Sequence, residues 1–196
     1  MSQSPVRVVI AEDEAIIRLD LKELLEEEGY EVVGETGRGD EVLRLVEREK
    51  PDVAILDINM PGMNGLDAAR QLTDARLCAV LILTAFSQRE LVDQARAAGA
   101  LAFLVKPFQK TDLVPAIEVA LSRFSDLQEL RRDVEELSER LEARKVVDRA
   151  KGALMEQLGI SENDAWRLLQ TEAMRQRVRM SDVAALVLDG SVALAP

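Results

Sequence analysis

The chain has no histidine among its 196 residues. That absence excludes histidine-based catalysis, zinc sites with imidazole ligands and a phosphohistidine on this chain. Cysteine is nearly missing too. Cys78 stands alone, so there is no internal disulfide framework, and its place beside an apolar run makes it a small core residue. No stretch approaches the roughly 18 uninterrupted apolar residues of a membrane span. The opening MSQSPVRVVIAEDE meets acids too soon for a secretory signal. A cytoplasmic protein without a membrane partner is expected. Basic residues are outnumbered, 25 against 36 acids for a net charge of −11, so the molecule as a whole does not advertise nucleic-acid binding. Glycine is absent from Leu113 to Leu158 except at Gly152.

What is present is a 47% hydrophobic chain long enough for one or two domains. Its informative stretch is Pro51 to Gly65. Val53 to Leu56 reads as a buried strand, Asp57 ends it, and Pro61, Gly62, Asn64 and Gly65 break the chain into a loop. Alone, Asp57 could merely cap a turn. Three other apolar runs end in chemistry as well. Val6 to Ile10 leads to Glu12 and Asp13, Val80 to Leu83 to Thr84, and Leu101 to Val105 to Lys106 and Pro107. An acid at the carboxyl end of a parallel strand faces the crevice where open α/β sheets bind ligands. Clustered carboxylates there want a divalent cation, and Mg²⁺ prefers carboxylate, carbonyl, water and phosphate oxygens. A carboxylate beside such a cation can attack a phosphoryl group, while a lysine neutralises the charge that develops.

Residues 6–124 alternate strand and helix patterns. Ile16, Ile17, Leu21, Leu24 and Leu25 recur at helical spacing. Further helices are predicted over Asp40 to Glu49, after Asn64, from about Ser87 to Ala98, and from a cap at Thr111 or Asp112 with Pro115 in its first turn. Five such units make a doubly wound α/β fold with a five-stranded parallel sheet.

The order of acid pair, aspartate, threonine and Lys-Pro on successive strand ends resembles the receiver domain of two-component response regulators. The resemblance covers roughly Val6 to Arg123. It implies the flavodoxin-like strand order 2-1-3-4-5, with Asp57 as phosphoacceptor and a sensor histidine kinase as donor. It makes Asp13 a direct Mg²⁺ ligand, Glu12 a ligand through water, and Asn59 a ligand through its backbone carbonyl. Lys106, before a cis Pro107, would bind the phosphoryl group. Thr84 would be the switch hydroxyl and Phe103 the aromatic that moves with it.

Beyond the receiver, Leu127, Leu130, Val134, Leu137 and Leu141 step by three and four between charged residues. Such a stripe either packs on its own chain or forms a two-stranded coiled coil; the second reading is preferred because charge lies on the other faces. The remainder reads as a three-helix bundle: one helix ending at Leu158-Gly159, one starting at Ser161, and one starting at Ser181 or Asp182. The boundaries expected are 1–124, 125–142 for the coiled-coil linker, and 143–196. Charge changes sign here. Residues 1–126 hold 14 basic and 23 acidic side chains, residues 143–180 eight and five.

Arg149 to Met155, Ala165 to Leu169, Ala173-Met174 and Val183-Ala184 resemble the ANTAR domain, an RNA-binding antitermination module, over roughly 137–189. The resemblance implies phosphorylation-favoured homodimers that bind tandem hairpins with six-base loops in nascent RNA. On spacing, Lys145, Arg149, Arg175 and Arg177 suit phosphate contacts, and Lys151 or Arg167 suit base reading. Trp166 could stack on a base, but its place beside Leu168 and Leu169 assigns it to the core. Gly152 is expected to permit close helix packing. Two rival readings are a DNA-binding regulator using the last two helices and a coiled-coil protein-interaction switch. No second catalytic constellation follows residue 125, so an enzymatic output is not expected.

Overall fold

In the computed structural model, residues 4–85, 89–192 and 194 are described. The chain divides into two compact units, 1–128 and 129–196. The first contains β1 (Arg7–Ala11), β2 (Glu31–Thr36), β3 (Val53–Asp57), β4 (Ala79–Thr84) and β5 (Ala102–Val105). All pair in parallel, in the order β2-β1-β3-β4-β5, so the expected doubly wound sheet is present. β3 and β4 are buried at every position, which is why they read as unbroken apolar runs rather than alternating ones.

Alternate residues of the central strands feed two cores. Val9, Ala54, Leu56, Val80 and Ile82 pack with Val42 and Val46 of α2 (Val42–Glu49) and Leu72 of α3 (Gly65–Asp74). Val8, Ile10, Ile55, Leu81 and Leu83 pack with Leu21 and Leu25 of α1 (Ala15–Glu27) and Leu113 and Ile117 of α5 (Lys110–Leu158). α4 is Arg89–Ala97; its expected start at Ser87 lies outside the described residues. Cys78 is buried in the first core, and burial pushes its thiol up to about 12. Each fully buried aliphatic side chain contributes about 1.5–3 kcal/mol, so both sheet faces matter to stability.

Local details correct the sequence reading. The helix expected from Asp40 begins as a 3₁₀ turn, Gly39–Glu41, before α2. Of the apolar residues at helical spacing in α1, Leu21 and Leu25 are buried but Ile16 is 85% exposed. α5 starts at Lys110, and Asp112 accepts a hydrogen bond from the Gln109 N–H at 3.0 Å. The capping position is therefore Gln109, with Asp112 reaching back from the first turn. Pro115 falls in the second turn, where its missing N–H leaves the Thr111 carbonyl without that helical bond.

Tyr30 is the chain's only tyrosine, and its hydroxyl donates to Glu118 Oε1 at 3.2 Å. Burial first, then the Glu118 carboxylate, push it up to about 12. Ultraviolet titration should show phenolate forming near that value instead of the usual ~10. The folded state holds this proton more tightly, so stability should fall as pH rises from the ordinary value toward the raised one. A midpoint at the ordinary value would refute the contact.

The second unit packs the end of α5 with α6 (Glu162–Gln176) and α7 (Met180–Leu188). Val147, Ala150, Leu154, Ala165, Leu169, Ala173, Val183, Ala184 and Val187 form its core. Ser161 caps α6, its hydroxyl accepting from the Asp164 N–H at 3.2 Å. α7 begins at Met180, one residue before the expected start. Two expectations fail in this unit. Trp166 is 41% exposed and lies outside the core. Gly152 is exposed, and a Cβ there would meet nothing within 4 Å, so no helix packs on it among the described residues. Gly152→Ala should therefore stabilise the unit by about 0.5–1 kcal/mol through helix propensity, read as a raised melting temperature; a fall would mean that the position serves a contact this chain does not make with itself.

Among the described residues, little covers the 127–141 stripe. Leu130, Val134, Leu137 and Leu141 are 60%, 57%, 63% and 54% exposed.

Candidate functional site

Parallel pairing brings the chemistry-bearing strand ends together. Ala11 pairs with Leu56, Asp57 with Leu83, and Thr84 with Val105. Glu12, Asp13, Asp57, Thr84 and Lys106 thus gather at the carboxyl edge of the sheet. Lys106 Nζ lies 2.5 Å from Glu12 Oε2 and 2.6 Å from Asp57 Oδ1. Asp57 Oδ2 accepts from the Asn59 N–H at 2.8 Å. Glu12 Oε1 accepts from the Glu14 N–H at 3.3 Å. Glu12, Asp57 and Thr84 are buried, while Asp13 is exposed. The Lys106–Pro107 bond is cis.

The electrostatics follow from this crowding. Burial raises the Glu12 carboxyl above its ordinary value, and nearby Asp57 adds to that, against the lowering effect of Lys106. Burial works against charge on Lys106, but hydrogen bonds to Asp57 and Glu12 outweigh it and raise the ammonium above its usual value. One cation thus serves two buried anions. Glu12 Oε2, fully buried, has that ammonium 2.5 Å away as its partner. Glu12, Asp13 and Asp57 can each offer an oxygen within 4.8 Å of the others. Three carboxylates against one ammonium leave hard oxygen donors in excess of positive charge, a set that fits a small divalent cation such as Mg²⁺.

The backbone that presents Asp57 is built by close approach. A Cβ at Gly65 would lie 1.9 Å from the Asp57 carbonyl oxygen, so only glycine fits at the start of α3. Asn64 caps that helix, accepting from the Leu66 N–H at 2.8 Å. Sequence reasoning passed over Gly65 except as a loop breaker. It also passed over Arg18, whose Nη1 donates to the Glu12 carbonyl and whose guanidinium pairs with Glu35 at 3.6 Å. Neither contact has a signal in spacing. Phe103 on β5 is 47% exposed, with its side chain outside the buried cluster.

The basic residues of the second unit separate into two groups. Lys145 pairs with Glu142 at 2.7 Å. Arg175 forms a two-pronged pair with Glu172, at 2.8 and 2.5 Å. Lys151 binds both Asp148 at 2.8 Å and Glu162 at 2.7 Å, and its ammonium lies 5.8 Å from the Trp166 ring centre. Its side chain is only 13% exposed. Arg149, Arg167 and Arg177 are exposed and make no ion pair among the described residues. No helix among the described residues is long and apolar enough to cross a membrane.

Comparison with known proteins agrees with both halves of this description. Residues 8–118 match the response regulator receiver domain family, and residues 135–188 match the ANTAR domain family. The chain is 54% identical over 185 residues to the transcriptional regulatory protein PdtaR of Mycobacterium tuberculosis (strain ATCC 25618 / H37Rv), covering 94% of this chain and 90% of that protein. It is 39% identical over 112 residues to the chemotaxis protein CheY of Thermotoga maritima, 57% of this chain and 93% of that one. Among solved structures, a CheY-like response regulator receiver domain protein from Methanospirillum hungatei JF-1 superposes with a TM-score of 0.57 at 29% identity, covering 63% of this chain and 98% of that chain.

Proposed function

The chain belongs to the response regulators, with a receiver domain followed by an ANTAR domain, and from that premise we propose that phosphorylation of Asp57 controls the binding of RNA hairpins by its terminal helices, so that transcription passes a terminator. Both domains are regulatory, and the chain is a regulator rather than an enzyme. The observation that carries the phosphorylation half is the Asp57 carboxylate held between the Lys106 ammonium and the Asn59 N–H at the sheet edge.

In the proposed step, a carboxylate oxygen of Asp57 forms a bond to phosphorus as the bond from phosphorus to the histidine nitrogen of a sensor kinase breaks. The departing imidazole takes up a proton. Glu12, Asp13, Asp57 and the Asn59 carbonyl would hold Mg²⁺, which when bound supplies countercharge to the transferring group. Lys106 then exchanges a carboxylate partner for phosphoryl oxygens, a charge-assisted contact of the stronger kind. The added charge, about −1.5 to −2, draws the Thr84 hydroxyl, and Phe103 moves inward with it.

The exposed stripe of 127–141 supplies the second step. Its four most exposed apolar residues are more than half exposed among the described residues, and a second copy placed in parallel would give each a partner. Phosphorylation favours that homodimer. The proposed parts are a receiver over 1–124, a coiled-coil linker over 125–142 and an RNA-binding bundle over 143–196, acting in the cytoplasm. Arg149 and Arg177, with Lys145 and Arg175 once released from their glutamates, supply phosphate contacts.

The test is selection from a pool of hairpin RNAs with random loops, by protein treated with acetyl phosphate and Mg²⁺, against duplex DNA as competitor. Enrichment of hairpins only after phosphoryl treatment is expected. Preference for duplex DNA would install a DNA-binding output, and no nucleic-acid affinity in either state would leave a protein-interaction switch.

A further inference from the structure

α6 is amphipathic in an unusual sense. Its buried row is Ala165, Leu169 and Ala173, spaced by four. A second row steps along the neighbouring flank: Asn163, Trp166, Arg167, Gln170 and Met174. Residues three and four apart share a helix face, so these five line one side of α6, and Arg177 follows as its C-terminal cap. The row contains an aromatic ring, two amides, a thioether and an arginine, and neither Arg167 nor Arg177 makes an ion pair among the described residues. It contains no carboxylate. Glu162, at its edge, is neutralised by Lys151 at 2.7 Å.

We propose that this flank of α6 reads unpaired bases of bound RNA, with Trp166 as the ring on which one base stacks; the inference rests on the RNA-binding reading above and names the surface and the contact. Three observations carry it. Trp166 is 41% exposed, an expensive way to display a large apolar ring unless something covers it. The ring is held in place, because Lys151 lies within cation–π distance on one side and is itself anchored by Asp148 and Glu162. The neighbours of the ring are amides and guanidinium groups, which match the hydrogen-bonding edges of a base splayed out of its stack. A second copy of the chain is a poorer occupant. One ring and one methionine among polar groups make a small apolar area, whereas the stripe on α5 already offers a continuous seam. Duplex nucleic acid is a poorer one too, since its bases are stacked on each other and offer no free face.

Arg177 adds an independent mark. It closes α6 in the left-handed conformation, φ 57°, a position where glycine is favoured and an L side chain is penalised. The fold gains nothing from arginine there, so the side chain is expected to act outside the fold.

Trp166 is the only tryptophan, so its fluorescence reports this contact directly. The probes are a hairpin RNA with a six-nucleotide loop, taken from the selection above, and the same hairpin with abasic sugars throughout the loop, which keeps the phosphates. The full chain is used after acetyl phosphate and Mg²⁺ treatment. The intact loop should quench Trp166 fluorescence and the abasic loop should not. Trp166→Ala should weaken binding of the intact loop roughly 5- to 150-fold and leave the abasic loop's affinity unchanged. Trp166→Phe should recover most of the loss. Arg177→Gly, which suits the backbone, should melt no lower than the wild type yet weaken both hairpins alike. Equal affinity of Trp166→Ala and wild type for the intact loop, with no quenching, overturns the inference while the RNA-binding reading stands. If Trp166→Ala weakens both hairpins equally and sediments as monomer where the wild type is a dimer, the ring covers a second copy and the inference fails. A wild type that binds neither hairpin removes the RNA-binding reading and this inference together.

Discussion

Asp57→Asn is expected to take up no phosphoryl group from acetyl phosphate and Mg²⁺, where the wild type gains one per chain. The substitution keeps the size of the side chain and can keep the Asn59 N–H contact through its amide oxygen. It removes the nucleophilic carboxylate and one of the two anions facing Lys106. Two readouts follow. Intact-mass measurement should show the phosphoryl gain only in the wild type. Thermal melting should show Mg²⁺ stabilising the wild type, by about 2.7 kcal/mol at one hundred times its dissociation constant, and much less the variant, because a ligand oxygen's charge is gone. The protein itself should not be weakened, since removing Asp57 relieves its repulsion of buried Glu12. A phosphoryl gain that persists in Asp57→Asn would place the acceptor elsewhere.

Lys106→Met is expected to have the larger effect on stability. The ammonium is mostly buried and is the nearest countercharge to both Glu12 and Asp57. Removing one partner of a buried ion pair costs about 3–5 kcal/mol, because the charge left behind is uncompensated. Protonation offers an escape. Glu12 already has a raised carboxyl, with Lys106 opposing the rise; without the ammonium it rises further. A group whose folded value is raised favours folding most when protonated, and that contribution is lost as pH rises through the folded value. The deficit of Lys106→Met should therefore be small near the ordinary glutamate range and grow toward neutral pH. Mg²⁺ should restore part of it by replacing the missing positive charge. Urea midpoints at several pH values, with and without Mg²⁺, read all three effects. A deficit independent of pH and of Mg²⁺ would mean that Lys106 acts through packing alone.

The sheet was legible because burial on both faces leaves its mark directly in composition: β3 and β4 are apolar at every interior position. The site was legible for the same reason, since an acid, hydroxyl or amine at the end of such a run has one place to go. Strand ends are brought together by pairing, so order in sequence became proximity in space. The second unit was harder. The neighbours Leu168 and Leu169 point Trp166 to the core, but Leu168 lies outside that core, and Trp166 sits only at the edge of the face that buries Leu169 three positions on, with 41% of it exposed. The helix cost of Gly152 points to close packing, yet among the described residues no helix approaches it. Lys151 carried a formal charge in the sequence, while its partner Glu162 lies eleven positions on, across a turn. Glu142, Asp148 and Glu172 stand three positions before Lys145, Lys151 and Arg175 on the same helices, a spacing that permits pairing; the link from Lys151 to Glu162 is side-chain geometry between helices, which spacing within one helix does not report. Gly65 is the counterpart in the receiver: its need for glycine comes from the carbonyl of Asp57, a contact made by the bend of the loop.

The two aromatic reporters fall in different units. Tyr30 lies in residues 1–128 and Trp166 in residues 129–196, so each half of the chain carries its own optical signal without a label. Unfolding of a chain of two units need not be a single all-or-none transition. Tyrosine absorbance and tryptophan fluorescence, followed in one denaturant series, would give one midpoint for the receiver and another for the output. The shift of the output's midpoint when Asp57 carries a phosphoryl group, multiplied by the slope of its transition, gives in free energy how strongly the state of one half is felt by the other.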